Sequence, residues 1–205
     1  MCIRDSTDIN MILVNDGSNK DLSESLNVLQ KNYPLTVISN QENMGKGYSI
    51  RKAISIAQAD FIIFTDVDFP YTTDSFTKIF DELQYGQCHV ALGIRDENYY
   101  DQIPSARKRI SKMLKGLNQR LMQLVTSDTQ CGLKGMTQNG KDYLLRTTQN
   151  RYLIDLEFIK LISNDPKVNV KLVSVELRIG VTFSKVPFGK ILSESLAYTK
   201  VLFGR

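Results

Sequence analysis

Phe61-Ile62-Ile63-Phe64-Thr65-Asp66-Val67-Asp68-Phe69-Pro70 is the stretch on which the fold of this chain turns. Four apolar residues in a row read as a strand covered on both faces, the signature of a central strand in an α/β sheet. Asp66 and Asp68 follow at once, at the C-terminal end of that strand, where open α/β sheets bind ligands. Two carboxylates on a tight turn can share one divalent cation. A hard ion held by few protein oxygens keeps positions free for substrate phosphates. Asp is also a common turn and cap residue, and Asp-x-Asp alone is a weak motif. The surrounding segments decide between the two readings.

Working outward, Met11-Ile12-Leu13-Val14 reads as a strand closed by the turn Asn15-Asp16-Gly17-Ser18. A helix is expected over Leu22 to Tyr33, with Leu22, Leu26 and Leu29 on one face and Pro34 ending it. Strand Leu35–Ile38, helix Tyr48–Gln58, strand Phe61–Thr65, helix Thr73–Tyr85 and strand Val90–Gly93 follow. Strands alternating with helices over short connections predict βαβ units and a mostly parallel sheet. From Asp128 the pattern is less regular, an α+β elaboration of the same domain.

The 205 residues suffice for one domain with a sizeable core, and 42% hydrophobic with 23% charged residues is ordinary for a globular protein. A net charge of +4 does not imply a nucleic-acid partner. The sequence has no tract of 18 apolar residues, so no membrane span is expected in it. Cys2, Cys88 and Cys131 lack metal or disulfide-framework spacing, which fits a reducing cytoplasm. His89 is the only histidine and reads as the start of a strand. Chemistry therefore falls to carboxylates, basic groups and a metal.

Gly45-Lys46-Gly47 fits neither common phosphate motif. A P-loop needs Ser or Thr after the Lys, and a dinucleotide fingerprint needs Gly where Ile50 stands. What remains is a strand-to-helix turn whose amides either face a phosphate or serve a plain glycine turn. Between Pro104 and Ser127 stand Arg107, Lys108, Arg109, Lys112, Lys115 and Arg120 with no acid among them. Ile110, Met113, Leu114, Leu117, Leu121 and Leu124 recur at helical spacing. This predicts a basic amphipathic helix, either a solvated face or a surface for a lipid phosphate or membrane.

The ordered set of Asn15-Asp16-Gly17-Ser18, Asn43-x-Gly45-Lys46-Gly47, Asp66-x-Asp68, Gly93-x-Arg95 and Asp128-Thr129-Gln130-Cys131-Gly132-Leu133-Lys134 resembles family 2 glycosyltransferases. The last motif resembles the branch that glycosylates dolichyl or polyprenyl phosphate. Asp155-x-Glu157 and Ser184-Lys185-Val186 are similar to later segments of that group. The resemblance implies one GT-A domain, a three-layer α/β/α fold. It implies inverting transfer of a hexose from a donor such as UDP-glucose or GDP-mannose, with Mg²⁺ or Mn²⁺ at Asp66 and Asp68. Asp16, Gly17, Ser18, Asn43, Gly45 and Lys46 are then expected on the nucleotide. Arg95, Gln130 and Lys134 are expected at the reaction centre on the acceptor side, with Arg107, Arg109, Lys112, Asp155 and Glu157 binding the acceptor. The enzyme is expected at the cytoplasmic face of a membrane. A phosphate acceptor, largely ionised with a second pKa of about 6, needs positioning rather than a base.

The family's first strand and helix have no counterpart before Met11. Residues 1–8 are expected to be a non-native or disordered leader, and 9–205 one domain lacking the strand that belongs between Met11–Val14 and Phe61–Thr65. Three rivals stay open: a haloacid-dehalogenase-like phosphatase, a nucleotidyltransferase, and a catalytically incompetent nucleotide-sugar-binding fragment. The first usually has Thr or Val where Pro70 stands.

Overall fold

The computed structural model describes residues 9–95, 116, 122–181, 198, 201 and 202. In chain order they form β1 (Met11–Asp16), α1 (Ser23–Asn32), β2 (Leu35–Asn40), α2 (Lys46–Ile56), β3 (Phe61–Phe64), α3 (Thr73–Tyr85) and β4 (Val90–Arg95). After these come β5 (Lys134–Thr137), α4 (Gln138–Leu145), α5 (Ile154–Ser163) and β6 (Val170–Val175). The alternation is the α/β order that the sequence predicts.

A four-stranded sheet runs β3-β5-β4-β6. In it β3, β4 and β6 share a direction, and β5 runs against both its neighbours. Side chains alternate across β4, as a strand requires. Val90 and Leu92 enter one core cluster with Met136, Leu144, Leu156, Phe158, Ile159 and Ile162, the α4–α5 side. Ala91 enters the other with Ile79, Leu83, Leu133, Val173 and Val175, the α3 side. The sheet is thus covered on both faces, a three-layer α/β/α arrangement.

α3 shows how the local sequence sets an element. Thr72 caps its start, accepting a hydrogen bond from the Ser75 amide at 3.2 Å. Gly86 follows its last turn. Ile79 and Leu83, four apart, lie buried on its inner face, and Phe80 meets Phe61 edge to face.

β1 and β2 form a separate two-stranded parallel ladder, Met11 opposite Leu35 through Asp16 opposite Asn40. Among the described residues no ladder joins β1 to β3. α1 stands on this same side and buries none of its residues; Val28 is 53% exposed and Leu29 39%. Of the apolar stripe legible in the sequence, Leu22 and Leu26 are half-buried and Leu29 is exposed.

Candidate functional site

β3 ends at Phe64, and the chain turns through Asp66 to Pro70 with the Phe69 amide donating to the Asp66 carbonyl at 2.9 Å. Phe69 takes φ 41°, a left-handed value uncommon for a bulky residue. A second segment braces the turn: the Arg178 guanidinium donates to the Asp68 carbonyl at 2.7 Å, and its amide to the Pro70 carbonyl at 2.9 Å. Tyr71 is buried, and its hydroxyl accepts from the Gly132 amide at 3.0 Å and the Cys131 thiol at 3.3 Å. Burial, then the neighbouring Cys131, pushes the Tyr71 phenol well up, so it stays neutral. Tyr71 thereby ties the Asp66–Asp68 turn to the Asp128–Lys134 motif, a link that no local pattern announces.

Gly132 lies against Asp66. A Cβ at 132 would stand 2.3 Å from Asp66 Oδ2, so the carboxylate rests where any larger residue would put its side chain. Asp66 Oδ1 meets the Lys46 ammonium at 2.9 Å, and the same ammonium lies 3.5 Å from Asp155 Oδ2. Asp155 Oδ1 in turn accepts from Lys134 at 2.6 Å. Lys134 is fully buried and also donates to the Cys131 carbonyl. Four groups therefore alternate in sign from the interior outward: Lys134, Asp155, Lys46, Asp66. Burial opposes the charge on Asp155, but Lys134 and Lys46 outweigh it and hold the carboxyl below its ordinary range. Burial likewise opposes the Lys46 charge, and Asp155 and Asp66 outweigh it, holding the ammonium above its ordinary range.

The Gly45–Gly47 turn has a different explanation from phosphate binding. The Gly47 and Tyr48 amides both donate to the Asn150 carbonyl, at 2.8 and 3.2 Å, so these first amides of α2 are already engaged. A Cβ at Gly45 would stand 2.4 Å from the Asn150 carbonyl oxygen, and one at Gly47 2.2 Å from that of Gln149. The glycines let the 149–150 backbone close on the turn. Arg51 donates to the Gln149 carbonyl at 2.7 Å and to the Asn150 side chain.

Glu157 holds the same loop. It accepts from the Thr148 amide and hydroxyl and from the Gln149 amide, at 2.8–2.9 Å. Asp16 accepts from the Asn40 side chain and the Met44 and Gly45 amides at 2.8–2.9 Å. Burial works against its charge, yet these donors hold its carboxyl below the ordinary range. Gly17, at φ 70°, packs on Glu42, while Ser18 and Asn43 are exposed. Arg95 grips Asp128 through its amide at 2.8 Å and Nε at 2.9 Å, and Gln130 is exposed.

The structure thus brings Lys46, Asp66, Lys134 and Asp155 together, with Asp16 and Gly45 beside them. Asp68 is exposed on the turn. Arg107, Arg109 and Lys112, with Ser184-Lys185-Val186 and residues 1–8, lie outside the described residues. Among the described residues no helix is long and apolar enough to cross a membrane. None of them form a cluster of three or more metal-ligating side chains either. The donor set still fits a hard divalent ion: carboxylates on one turn, with a cationic group already seated on Asp66. The buried Thr65 hydroxyl beside them is without a partner. A site with so few protein ligands leaves coordination to a substrate diphosphate.

The Glycosyl transferase family 2 profile matches residues 2–143, more than half of the chain. The chain is 28% identical over 116 residues to the Escherichia coli K12 protein "Uncharacterized glycosyltransferase YibD", covering 54% of this chain and 34% of that protein. It therefore spans about a third of that curated relative's length. Glucosyl-3-phosphoglycerate synthase from Mycobacterium tuberculosis, solved with phosphoglyceric acid, superposes with a TM-score of 0.64 at 14% identity, over 93% of this chain and 66% of that one. The same enzyme with Mn²⁺, UDP and glucosyl-3-phosphoglycerate gives 0.60 at 13% identity, over 94% and 67%. These likenesses establish the GT-A fold. The chain belongs to glycosyl transferase family 2.

Proposed function

We propose that this family 2 member transfers a hexose, with inversion, from a nucleoside-diphosphate sugar to a phosphate-bearing acceptor, using Mg²⁺ or Mn²⁺. The observation that carries the reading is the Asp66–Lys46–Asp155–Lys134 chain of charges at the C-terminal end of β3. It presents a carboxylate for a metal and a lysine for a diphosphate at the place where α/β sheets bind ligands. A metal bound at Asp66 and Asp68 would neutralise the departing nucleoside diphosphate. Lys46 would meet the donor phosphates, and Gly132 would hold the Asp66 carboxylate in position. Asp155 is clamped as a carboxylate between two lysines, which makes it a weak base. That suits an acceptor needing no deprotonation, since a phosphomonoester is already largely anionic near neutral pH.

The donor is assigned as UDP-glucose or GDP-mannose and the acceptor as a polyprenyl or dolichyl phosphate at a cytoplasmic membrane face. The support is the Asp128–Lys134 motif together with the acid-free segment carrying Arg107, Arg109 and Lys112. A small soluble phosphate acceptor is the second reading, favoured by the solved neighbour that holds Mn²⁺, UDP-glucose and phosphoglyceric acid. Arg95 and Gln130 would then flank either acceptor, with Lys134 and Glu157 organising the site from behind.

The test incubates the intact protein with each donor, Mn²⁺, and either polyprenyl phosphate in anionic vesicles or 3-phosphoglycerate. Nucleoside diphosphate release that depends on polyprenyl phosphate is expected. Release with phosphoglycerate alone would replace the lipid by the soluble acceptor. Inorganic phosphate release without sugar transfer would overturn the transferase reading in favour of a phosphatase.

A further inference from the structure

We infer that Lys46 is a resident counter-cation for Asp66 and makes the metal and the nucleotide load as a pair; this rests on the metal–diphosphate reading of the site. Its ammonium stands 2.9 Å from Asp66 Oδ1, within the space a metal coordinated by that oxygen would need. A divalent ion arriving alone must share the carboxylate with a charged lysine or displace it. Both options oppose binding. Two like charges at such separation repel, and the repulsion is strong where water is partly excluded. Lys46 is 24% exposed, so it is only partly solvated.

Displacement has a ready route. The ammonium keeps a second partner, Asp155 Oδ2, at 3.5 Å, and Asp155 is itself locked to Lys134 at 2.6 Å. Lys46 can therefore leave Asp66 and remain compensated by Asp155. What that movement lacks in the empty protein is a replacement for Asp66. A nucleoside diphosphate supplies it: one phosphate oxygen for the metal, another for Lys46. The metal gains Asp66 as Lys46 gains a phosphate, and each ligand removes the obstacle to the other. Reciprocity is a thermodynamic requirement, so nucleotide raises metal affinity by the same factor that metal raises nucleotide affinity. The geometry also explains why the lysine is planted at the first position of a helix. The backbone on either side of it is held, by the Gly47 and Tyr48 amides on the Asn150 carbonyl and by the Gly45 amide on Asp16, and only the lysine side chain has to move.

Mn²⁺ binding to the intact protein, read from the spectrum of free Mn²⁺ by electron paramagnetic resonance, tests this without any turnover. Wild type is expected to bind Mn²⁺ weakly alone and at least tenfold more tightly with UDP or GDP. Lys46→Met is expected to bind Mn²⁺ alone at least tenfold more tightly than wild type, with the nucleotide enhancement much reduced. Lys46→Arg keeps the charge and should keep the coupling. Circular dichroism shows whether each variant is folded, and Lys46→Gln, which also removes the charge, serves if Met is not. Equal Mn²⁺ affinity of wild type and Lys46→Met without nucleotide, with nucleotide enhancement intact, would overturn the inference and leave the metal site standing. Equal coupling loss in the Arg variant would overturn it too. Absence of Mn²⁺ binding in every protein, with or without nucleotide, would overturn both readings.

Discussion

Asp66 and Gly132 share one space: the Asp66 carboxylate lies where the side chain of residue 132 would be, 2.3 Å from an ideal Cβ there. Two residues 66 positions apart in sequence therefore constrain each other completely, one by presenting a charge and the other by having no side chain. Gly132→Ala is expected to push the carboxylate off its seat and lower transfer about 100-fold, the scale on which an ångström of misplacement acts. The fold should survive, because the displaced group is at the rim of the site. Steady-state kinetics beside a thermal melt checks this; unchanged kcat would show the carboxylate's position to be immaterial.

Asp66→Asn is expected to lower kcat about 10²–10³-fold, on the scale of losing one transition-state electrostatic contact. Asp68→Asn should do the same to a smaller degree, since Asp68 is exposed and its carbonyl rather than its carboxylate is held by Arg178. Turnover assays across a Mn²⁺ series provide the check. Wild-type turnover of both variants at saturating metal would refute the metal assignment.

Asp155→Asn leaves Lys134, which is fully buried, without its carboxylate. Uncompensated buried charge is costly, and a loss of about 3–5 kcal/mol is expected in denaturant unfolding. The pH dependence follows from the same group. Folding depresses the Asp155 and Asp16 carboxyls below their ordinary 3.8. Their stabilisation is whole above that value and is lost as pH falls below it toward the folded-state values. An acid unfolding series should show Asp155→Asn less acid-sensitive than wild type. A parallel acid limb in both proteins would remove Asp155 from the account.

The break between β1 and β3 gives a stability prediction. Edge amides that lack a partner strand exchange with solvent, or cost about 1–3 kcal/mol each if they are buried and unpaired. The protein is expected to melt at low temperature. Hydrogen exchange should be fast along the edges of β1 and β3 that pair with no strand among the described residues, and slow in β4, which is paired on both sides. Uniform slow exchange and a high, cooperative melt would show that the edges are satisfied in solution.

Local patterns carried the order of elements because each signal lies within one segment. The apolar run before Asp66 gave β3, and the helical spacing of Phe76, Ile79, Phe80 and Leu83 gave α3 at its observed bounds. Strand ends were less legible. β1 continues through Asn15 and Asp16, which as turn-forming residues read as the start of a loop. The roles inside the site were hidden for a different reason. Arg51 and Gln149, Tyr71 and Gly132, Lys46 and Asp155 meet only after the chain has folded, and no spacing announces them. Gly45-Lys46-Gly47 shows the same limit: its glycines answer to the 149–150 backbone far along the chain. Glu157, expected on an acceptor, carries three hydrogen bonds to the Thr148–Gln149 loop.

Gly45 answers to Asp16 at the end of β1, and Lys46 answers to Asp66 beyond β3. One peptide bond therefore spans the break between the two sheets at the level of the site. A shear of one sheet against the other must first stretch the contacts on either side of that bond. Mechanical compliance and ligand loading become a single coordinate: whatever ties Lys46 to Asp66, directly or through a metal and a phosphate, stiffens the seam. A force applied across β1 and β3, as in a single-molecule pull, should accordingly find the seam stronger with metal and nucleotide bound than without them.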